Sequence, residues 1–481
     1  DLWHPITAEL QTFGQTGETD NTMSWWAIFL EGLLAGLLAI LTPCVWPIIP
    51  MTVSFFLKRN KDKKKGLRDA LTYGISIVVI YVALGLLVTA LFNPNTLNAL
   101  STNAVFNIFL FLLLVVFALS FFGWFEITLP SSWTNKVDTK ASSTSGLISI
   151  FLMALTLTLV SFSCTGPIIG MLLVDTATSG NWLGPAIGML GFAIALALPF
   201  TLFALFPTWL KQAPKSGSWM NIIKVVLGFI ELAFALKFFS VADLAYGWRL
   251  LDREVFLSLC IAIFLLMGLY LIGKLKFQSD GDSQKAMPVP CIMLGLISIA
   301  FAIYMVPGLW GAPLKAVSAF APPMKTQDFN LAAEQEVKPM FMDYEEGMAY
   351  AEAHHLPVMI DFTGYGCVNC RKMEAAVFID PAVADIMTNK YVLIQLYVDE
   401  KTKLPEPITV NDNGNERKLR TVGDKWSYLQ SSKFGATAQP FYVLIDNEGN
   451  PLEKSYSYDE DIPKFLAWLN SGLSRYSLNA H

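Results

Sequence analysis

The apolar residues of this 481-residue chain come in long blocks, all between residues 24 and 310, and that distribution decides the fold class before any motif is considered. A helix that crosses a bilayer needs about 20 mostly apolar residues. Eight segments reach that length: 24–57, 69–92, 104–125, 146–174, 182–206, 219–240, 254–273 and 289–310. The first and fourth are over-long and carry internal Pro or Gly, so each reads as a broken helix. Only 15% of the residues are charged and 34 are Phe, a balance unsuited to a wholly soluble protein. The net charge of −5 averages two unlike regions and carries little information. Residues 311–335 are Ala/Pro-rich without strong periodicity and read as a linker, and 336–481 read as a second domain of ordinary composition. Residues 1–23 form an N-terminal segment ahead of the first span. The chain starts at Asp1 with no initiator Met and no signal-peptide pattern, so a mature or truncated form is expected.

Loop charge orients the spans. The loop after span one holds seven basic residues between Lys58 and Arg68. The loops after spans three, five and seven add Lys136, Lys140, Lys211, Lys215, Lys274, Lys276 and Lys285, whereas the opposite loops hold only Arg249 and Arg253. By the positive-inside rule the lysine-rich loops are cytoplasmic. Eight crossings then place both chain ends, and the C-terminal domain, on the opposite side.

Two of the spans carry the same motif. Span one contains CVWPIIPM from Cys44 to Met51, and span four contains CTGPIIGM from Cys164 to Met171; both fit C-x-x-P-I-I-x-M, 120 residues apart. A second echo, FALSFF from Phe117 and FALKFF from Phe234, is offset by 117. Spans 1–3 and 4–6 therefore read as duplicates. A unit with an odd number of spans must re-enter from the other side, which makes an inverted repeat about an axis in the membrane plane. Residues near that axis approach each other, so Cys44 and Cys164 could meet inside the bilayer. Pro47 and Pro167 each follow three residues later and break the helix beside the thiol. Non-helical backbone at that depth survives only inside protein or along a wet cavity. The bland alternative is two buried cysteines beside kinks. Cys260 and Cys291 belong to no motif and read as structural. Glu231, midway along span six, is a candidate proton-handling group because intramembrane carboxylates are rarely idle. Lys224, seven residues earlier on the same face, could pair with it, and a packing role is the plainer reading.

The last domain contains PVMIDFTGYGCVNCRKMEAAVF over residues 357–378. An apolar strand, a glycine turn, C-x-x-C and a helix make a thioredoxin-like arrangement. Cys367 falls at a helix N-terminus, where thiolate is stabilised, and Cys370 one turn later can resolve a mixed disulfide. No second Cys or His pair at zinc-site spacing accompanies them, so no metal is expected. Pro440, just before the apolar run FYVLID, is the candidate for the proline loop that faces such a disulfide. Asp361 and Glu374 flank the motif and could lie beneath the cysteines, where a carboxylate raises a thiol pKa and can accept its proton; solvated or capping acids are the alternative. The polar stretch 400–432 reads as an insertion.

Taken together these residues resemble the thiol:disulfide interchange protein DsbD family, whose membrane part is similar to the smaller cytochrome c biogenesis protein CcdA. The resemblance covers about residues 24–475. It implies a polytopic α-helical membrane domain of eight spans, an inverted 3+3 repeat plus two, joined to a C-terminal α/β thioredoxin-like domain in a bacterial inner membrane. It implies that cytoplasmic thioredoxin reduces the Cys44/Cys164 pair, which reduces Cys367/Cys370 on the periplasmic side. Those would serve periplasmic thiol–disulfide proteins, among them isomerases and cytochrome c maturation. No organic cofactor and no nucleic-acid partner are implied. The family's N-terminal immunoglobulin-like domain has no counterpart in residues 1–23, so a removed or separate domain is expected to take its place. A secondary transporter with a regulatory thioredoxin-like domain is the alternative from another class, since inverted repeats and broken helices suit it too. A solute carrier, however, has no need of a cysteine in both repeat motifs. An oxidase delivering electrons to quinone is a further alternative, but no quinone site is marked.

Overall fold

The computed structural model describes residues 2–13, 25–40, 63–91, 103–124, 150–151, 154–155, 158, 183–205, 217–277, 287–329, 331, 337–412 and 415–479. Cys44, Pro47, Cys164 and Pro167 lie outside them, as does most of the expected fourth span.

The apolar region folds into helices α2 (Trp25–Ile40), α3 (Lys63–Leu91), α4 (Ala104–Phe121), α5 (Leu183–Leu205), α6 (Gly217–Tyr246), α7 (Arg253–Leu271) and α8 (Val289–Met305), which follow a short N-terminal helix α1 (Thr7–Thr12). Among the described residues five helices are long and apolar enough to cross a membrane: Leu67–Leu87, Ala104–Phe121, Asn221–Tyr246, Arg253–Leu271 and Val289–Trp310. They coincide with expected spans two, three, six, seven and eight. Trp25–Ile40 and Gly184–Pro199 are shorter apolar helices at the positions of spans one and five.

Lipid tails offer no hydrophobic drive for helices to associate, so close contact depends on small residues and on buried polar bonds. Both occur here. At the α2–α5 crossing, a Cβ on Gly36 would lie 2.6 Å from the Phe192 carbonyl, and one on Gly32 would collide with the Gly188 carbonyl. At the α7–α8 crossing, Gly268 and Gly295 face each other's backbone, and the Ser298 hydroxyl donates to the Phe264 carbonyl at 2.6 Å. The outer surfaces stay apolar: Val105 and Phe109 on α4, and Val289, Leu296 and Ile297 on α8, are exposed.

The stretch expected to be a linker is instead folded onto the membrane helices over its described part, 311–329. Leu314, Val317 and Ala321 share a core with Leu251, Phe256, Leu257 and Met305. Arg253, 3% exposed, donates to the carbonyls of Pro322 at 2.7 Å and Ala312 at 3.4 Å. Gln327 donates to the carbonyls of Gly308 and Leu309. Such a segment has no helical or strand period, because its anchors are single side chains reaching backbone far away in sequence.

The C-terminal domain contains α9 (Tyr344–His354), β1 (Val358–Thr363), α10 (Val368–Met373), α11 (Pro381–Asn389), β2 (Val392–Tyr397), β3 (Lys403–Asp412), β4 (Asn415–Thr421), α12 (Val422–Phe434), β5 (Phe441–Ile445) and α13 (Ile462–Asn479). The central sheet has the order β2-β1-β5, with β1 parallel to β2 and antiparallel to β5. Its strands are buried on both faces, which explains their largely apolar sequences. Successive side chains alternate between faces. Val358, Ile360 and Phe362 join the core with Trp426 and Leu429 of α12, while Met359 joins the other core with Val383 of α11 and Phe465 of α13. The insertion at 400–432 is the antiparallel β3–β4 hairpin leading into α12, whose start is fixed by a capping box between Thr421 and Asp424.

Residues 2–13 of the N-terminal segment are docked on this domain. Ile6 and Leu10 are 5% and 0% exposed in its core, the Ile6 amide donates to the Lys433 carbonyl, and Trp3 packs edge-on against Tyr428 at 5.0 Å. Trp3 also packs on the hairpin residues Val410 and Leu419. The hairpin and α12 thereby make the seat for residues 2–13.

Candidate active site

Cys367 and Cys370 form a disulfide with Cα atoms 5.3 Å apart, across the first turn of α10. Cys367 is the N-cap: its backbone is extended while its sulfur accepts from the Cys370 amide at 3.1 Å. A hydrogen bond from a helix N-terminus favours the anionic form of the acceptor, so the same N–H stabilises a Cys367 thiolate after reduction. Cys367 is half-buried and Cys370 is 2% exposed, so Cys367 is the sulfur a partner can reach. The approach to Cys367 is held by Asp399, whose two carboxylate oxygens accept from the amides of Tyr365 (2.9 Å) and Gly366 (3.0 Å). The Gln439–Pro440 peptide, ahead of β5, is cis.

Asp361 is fully buried in the middle of β1, paired across the sheet with Gln395 on one side and Tyr442 on the other. Alternation puts its side chain on the sheet face of Met359 and Leu393, the face on which Met373 and Val377 of the Cys-bearing segment pack. Gln395 Nε2 donates to Asp361 Oδ2 at 2.9 Å, and Gln395 Oε1 accepts from the Tyr397 hydroxyl at 3.2 Å. Burial pushes the Asp361 carboxyl up to about 7, against a smaller opposing effect of the Gln395 bond. A carboxyl poised there exchanges a proton at neutral pH.

Glu374 sits on the single π-helical turn Glu374–Phe378 that continues α10, and it is ion-paired: Arg371 Nη1 lies 2.7 Å from its Oε2. Arg371 is 3% exposed and also donates to Thr363 Oγ1 at 3.1 Å. The two carboxylates read as equivalent from the sequence are thus unlike: Asp361 is shielded and, among the described residues, shares no ion pair, and Glu374 neutralises a buried arginine. Arg371 follows Cys370 directly, but its burial was not visible in a sequence where a basic residue is most often solvated. Glu231 is fully buried on α6, a helix that packs against α4 and α7. Cys260 is buried and Cys291 half-buried, both as free thiols.

The Cys-bearing segment faces the membrane domain. The Lys401 amide donates to the Ala245 carbonyl at the end of α6, at 2.8 Å. Arg371, Glu374 and Ala375 line a small cleft together with Arg253, Pro322 and Met324.

Residues 25–242 match the family model of the cytochrome C biogenesis protein transmembrane domain, and residues 344–472 match that of the thioredoxin-like domain. Curated proteins named thiol:disulfide interchange protein DsbD are similar along most of the chain. That of Vibrio vulnificus is 29% identical over 404 residues, covering 81% of this chain and 60% of its own length. That of Pseudoalteromonas atlantica is 29% identical over 387 residues, covering 77% and 59%. That of Actinobacillus pleuropneumoniae is 26% identical over 459 residues, covering 94% and 69%. The chain therefore spans about three fifths of the length of the first two. The chain thus joins a cytochrome C biogenesis-type transmembrane domain to a thioredoxin-like domain with a Cys367–Cys370 centre, and in that combination it is similar to the DsbD thiol:disulfide interchange proteins.

Proposed function

We propose that the protein is a transmembrane protein-disulfide reductase. It takes two electrons from cytoplasmic thioredoxin through the Cys44/Cys164 pair, passes them to Cys367–Cys370, and delivers them to disulfide proteins outside the cytoplasm. The observation that carries this reading is the Cys367–Cys370 disulfide, held at a helix N-terminus in a thioredoxin-like domain that is docked on the end of a membrane bundle.

Each step is an exchange through a mixed disulfide. A thiolate of the reduced membrane pair attacks Cys367 Sγ; the Cys367–Cys370 bond breaks and Cys370 leaves with the electron pair, then takes a proton. The second membrane thiolate attacks the mixed disulfide, closes the membrane disulfide and frees Cys367. Outward, the Cys367 thiolate attacks the acceptor's disulfide, and Cys370 resolves the product after giving its proton to Asp361. Two electrons and two protons move per cycle, and no cofactor is needed. A thioredoxin poise of roughly −270 mV against about −180 mV outside gives roughly 4 kcal/mol per pair of electrons, enough for net flow.

The eight-span topology has two supports. Residues 2–13, before the first apolar helix, touch the domain that follows the last one, so an even number of crossings separates them. The packing of α3 on α5 and of α4 on α6 also pairs the elements that an inverted repeat makes equivalent. Together with the loop charges, this supports a topology in which both termini and the thioredoxin-like domain lie on the periplasmic side of an inner membrane.

The test is the redox state of Cys367–Cys370 in cells, read by thiol alkylation. Cys44→Ala and Cys164→Ala are each expected to leave the pair oxidised. A pair that remains reduced in either variant overturns the relay.

A further inference from the structure

We infer that Lys325 is a positioning residue: it latches the thioredoxin-like domain, by the loop that leads into Cys367, to the membrane domain in the arrangement that receives electrons. The inference rests on the relay proposed above.

Lys325 belongs to the 3-10 turn Met324–Thr326 in the folded cap. The cap is anchored to the membrane helices on both sides of that turn, by Arg253 on the Pro322 carbonyl and by Gln327 on the Gly308 and Leu309 carbonyls. From this base the Lys325 ammonium reaches into the other domain, 3.6 Å from the centroid of the Tyr397 ring and 5.3 Å from that of Tyr365. The two rings stack on each other at 4.2 Å. An ammonium over an aromatic face gains most where water is excluded.

Each ring is tied to the redox centre by a different route. Tyr365 stands two residues before Cys367, and its amide and that of Gly366 are held by Asp399. Tyr397 donates to Gln395, which donates to Asp361. Two positions after Asp399, the Lys401 amide makes its bond to Ala245. One lysine on the membrane side therefore grips both the loop that carries the reactive sulfur and the end of the hydrogen-bond chain to the buried acid. The charged groups around it are Arg371, Glu374, Asp399 and Glu400; burial, then Arg371, pulls its ammonium down to about 8, against the three carboxylates. It remains mostly charged at neutral pH.

The experiment uses the full chain in lipid nanodiscs, with Lys325→Met and Lys325→Arg beside the parent. Amide hydrogen exchange at Lys401 reads docking without any electron transfer. Lys325→Met is expected to speed exchange there about tenfold, with β1 and β2 amides unchanged, and Lys325→Arg to restore protection. The rate at which reduced thioredoxin reduces Cys367–Cys370 should fall by a similar factor in Lys325→Met and recover in Lys325→Arg. Undiminished protection of Lys401 in Lys325→Met overturns the latch, and so does failure of Lys325→Arg to restore it. A parent chain that accepts no electrons from thioredoxin sinks the relay, while the exchange measurement still decides the latch.

Discussion

Gln395 Nε2 donates to Asp361 Oδ2 at 2.9 Å, at the register position where the parallel β1–β2 pair sets these two buried side chains side by side. Asp361 Oδ1 has no hydrogen-bond partner among the described residues. A carboxyl so enclosed favours its neutral form, so once ionised it readily takes up the proton that Cys370 must give before it attacks.

Asp361 therefore imposes a pH dependence on turnover. Below about 7 it is protonated and cannot accept a proton; above, it is ionised. Outward transfer from reduced Cys367/Cys370 is expected to rise with pH to a plateau above about 7. Asp361→Asn should flatten that rise and lower the plateau by roughly 100-fold. An unaltered profile in stopped-flow reduction of a disulfide substrate would remove Asp361 from the mechanism.

The same group acts on stability with a definite sign. Its folded pKa is raised from 3.8 to about 7, so its contribution is fully present below pH 3.8 and is lost as pH rises through about 7. A rise of about three units corresponds to roughly 4 kcal/mol. Asp361→Asn should therefore be more stable than the parent at pH 8, by up to roughly that amount, and the difference should shrink toward pH 4. Amide exchange of β1 at the two pH values measures it.

The Arg371–Glu374 pair tunes that acid. The Glu374 charge raises the Asp361 pKa and the Arg371 and Lys325 charges lower it. Glu374→Gln should move the midpoint of the pH profile below 7, and Lys325→Met should move it up. Arg371→Met removes the buried guanidinium that bonds both Glu374 and Thr363 and should lower the melting temperature.

The N-terminal seat is testable by proteolysis. Leu10→Asp puts a charge into a site with no exposure beside Ile6 and Trp426. It should release residues 2–13 and make the chain cleavable ahead of α2, with the rest of the thioredoxin-like domain still resistant. A cleavage pattern like the parent's would show that the segment stays seated without Leu10.

Helix contact in the membrane depends on the absence of side chains at Gly32 and Gly36. Gly32→Leu should force α2 from α5 and lower the amount of folded protein in the membrane several-fold, since the obstruction is backbone. Leu34→Ala, at an exposed position of the same helix, should leave that amount unchanged.

By itself the sequence determined the parts whose signals are local. Apolar length marked the membrane helices, and the apolar run Val358–Phe362 with C-x-x-C behind it marked a thioredoxin-like centre, because both follow from local composition and short spacing. Only the tertiary structure decided which of two nearby acids is shielded, that Arg371 is buried against Glu374, that residues 311–329 form a cap, and that Trp3, Ile6 and Leu10 complete a core some 400 residues away. Those outcomes depend on burial and on contacts between segments remote in sequence. Neither leaves a period in the chain, and a lysine such as Lys325 reads the same whether it ends in water or on the face of a tyrosine.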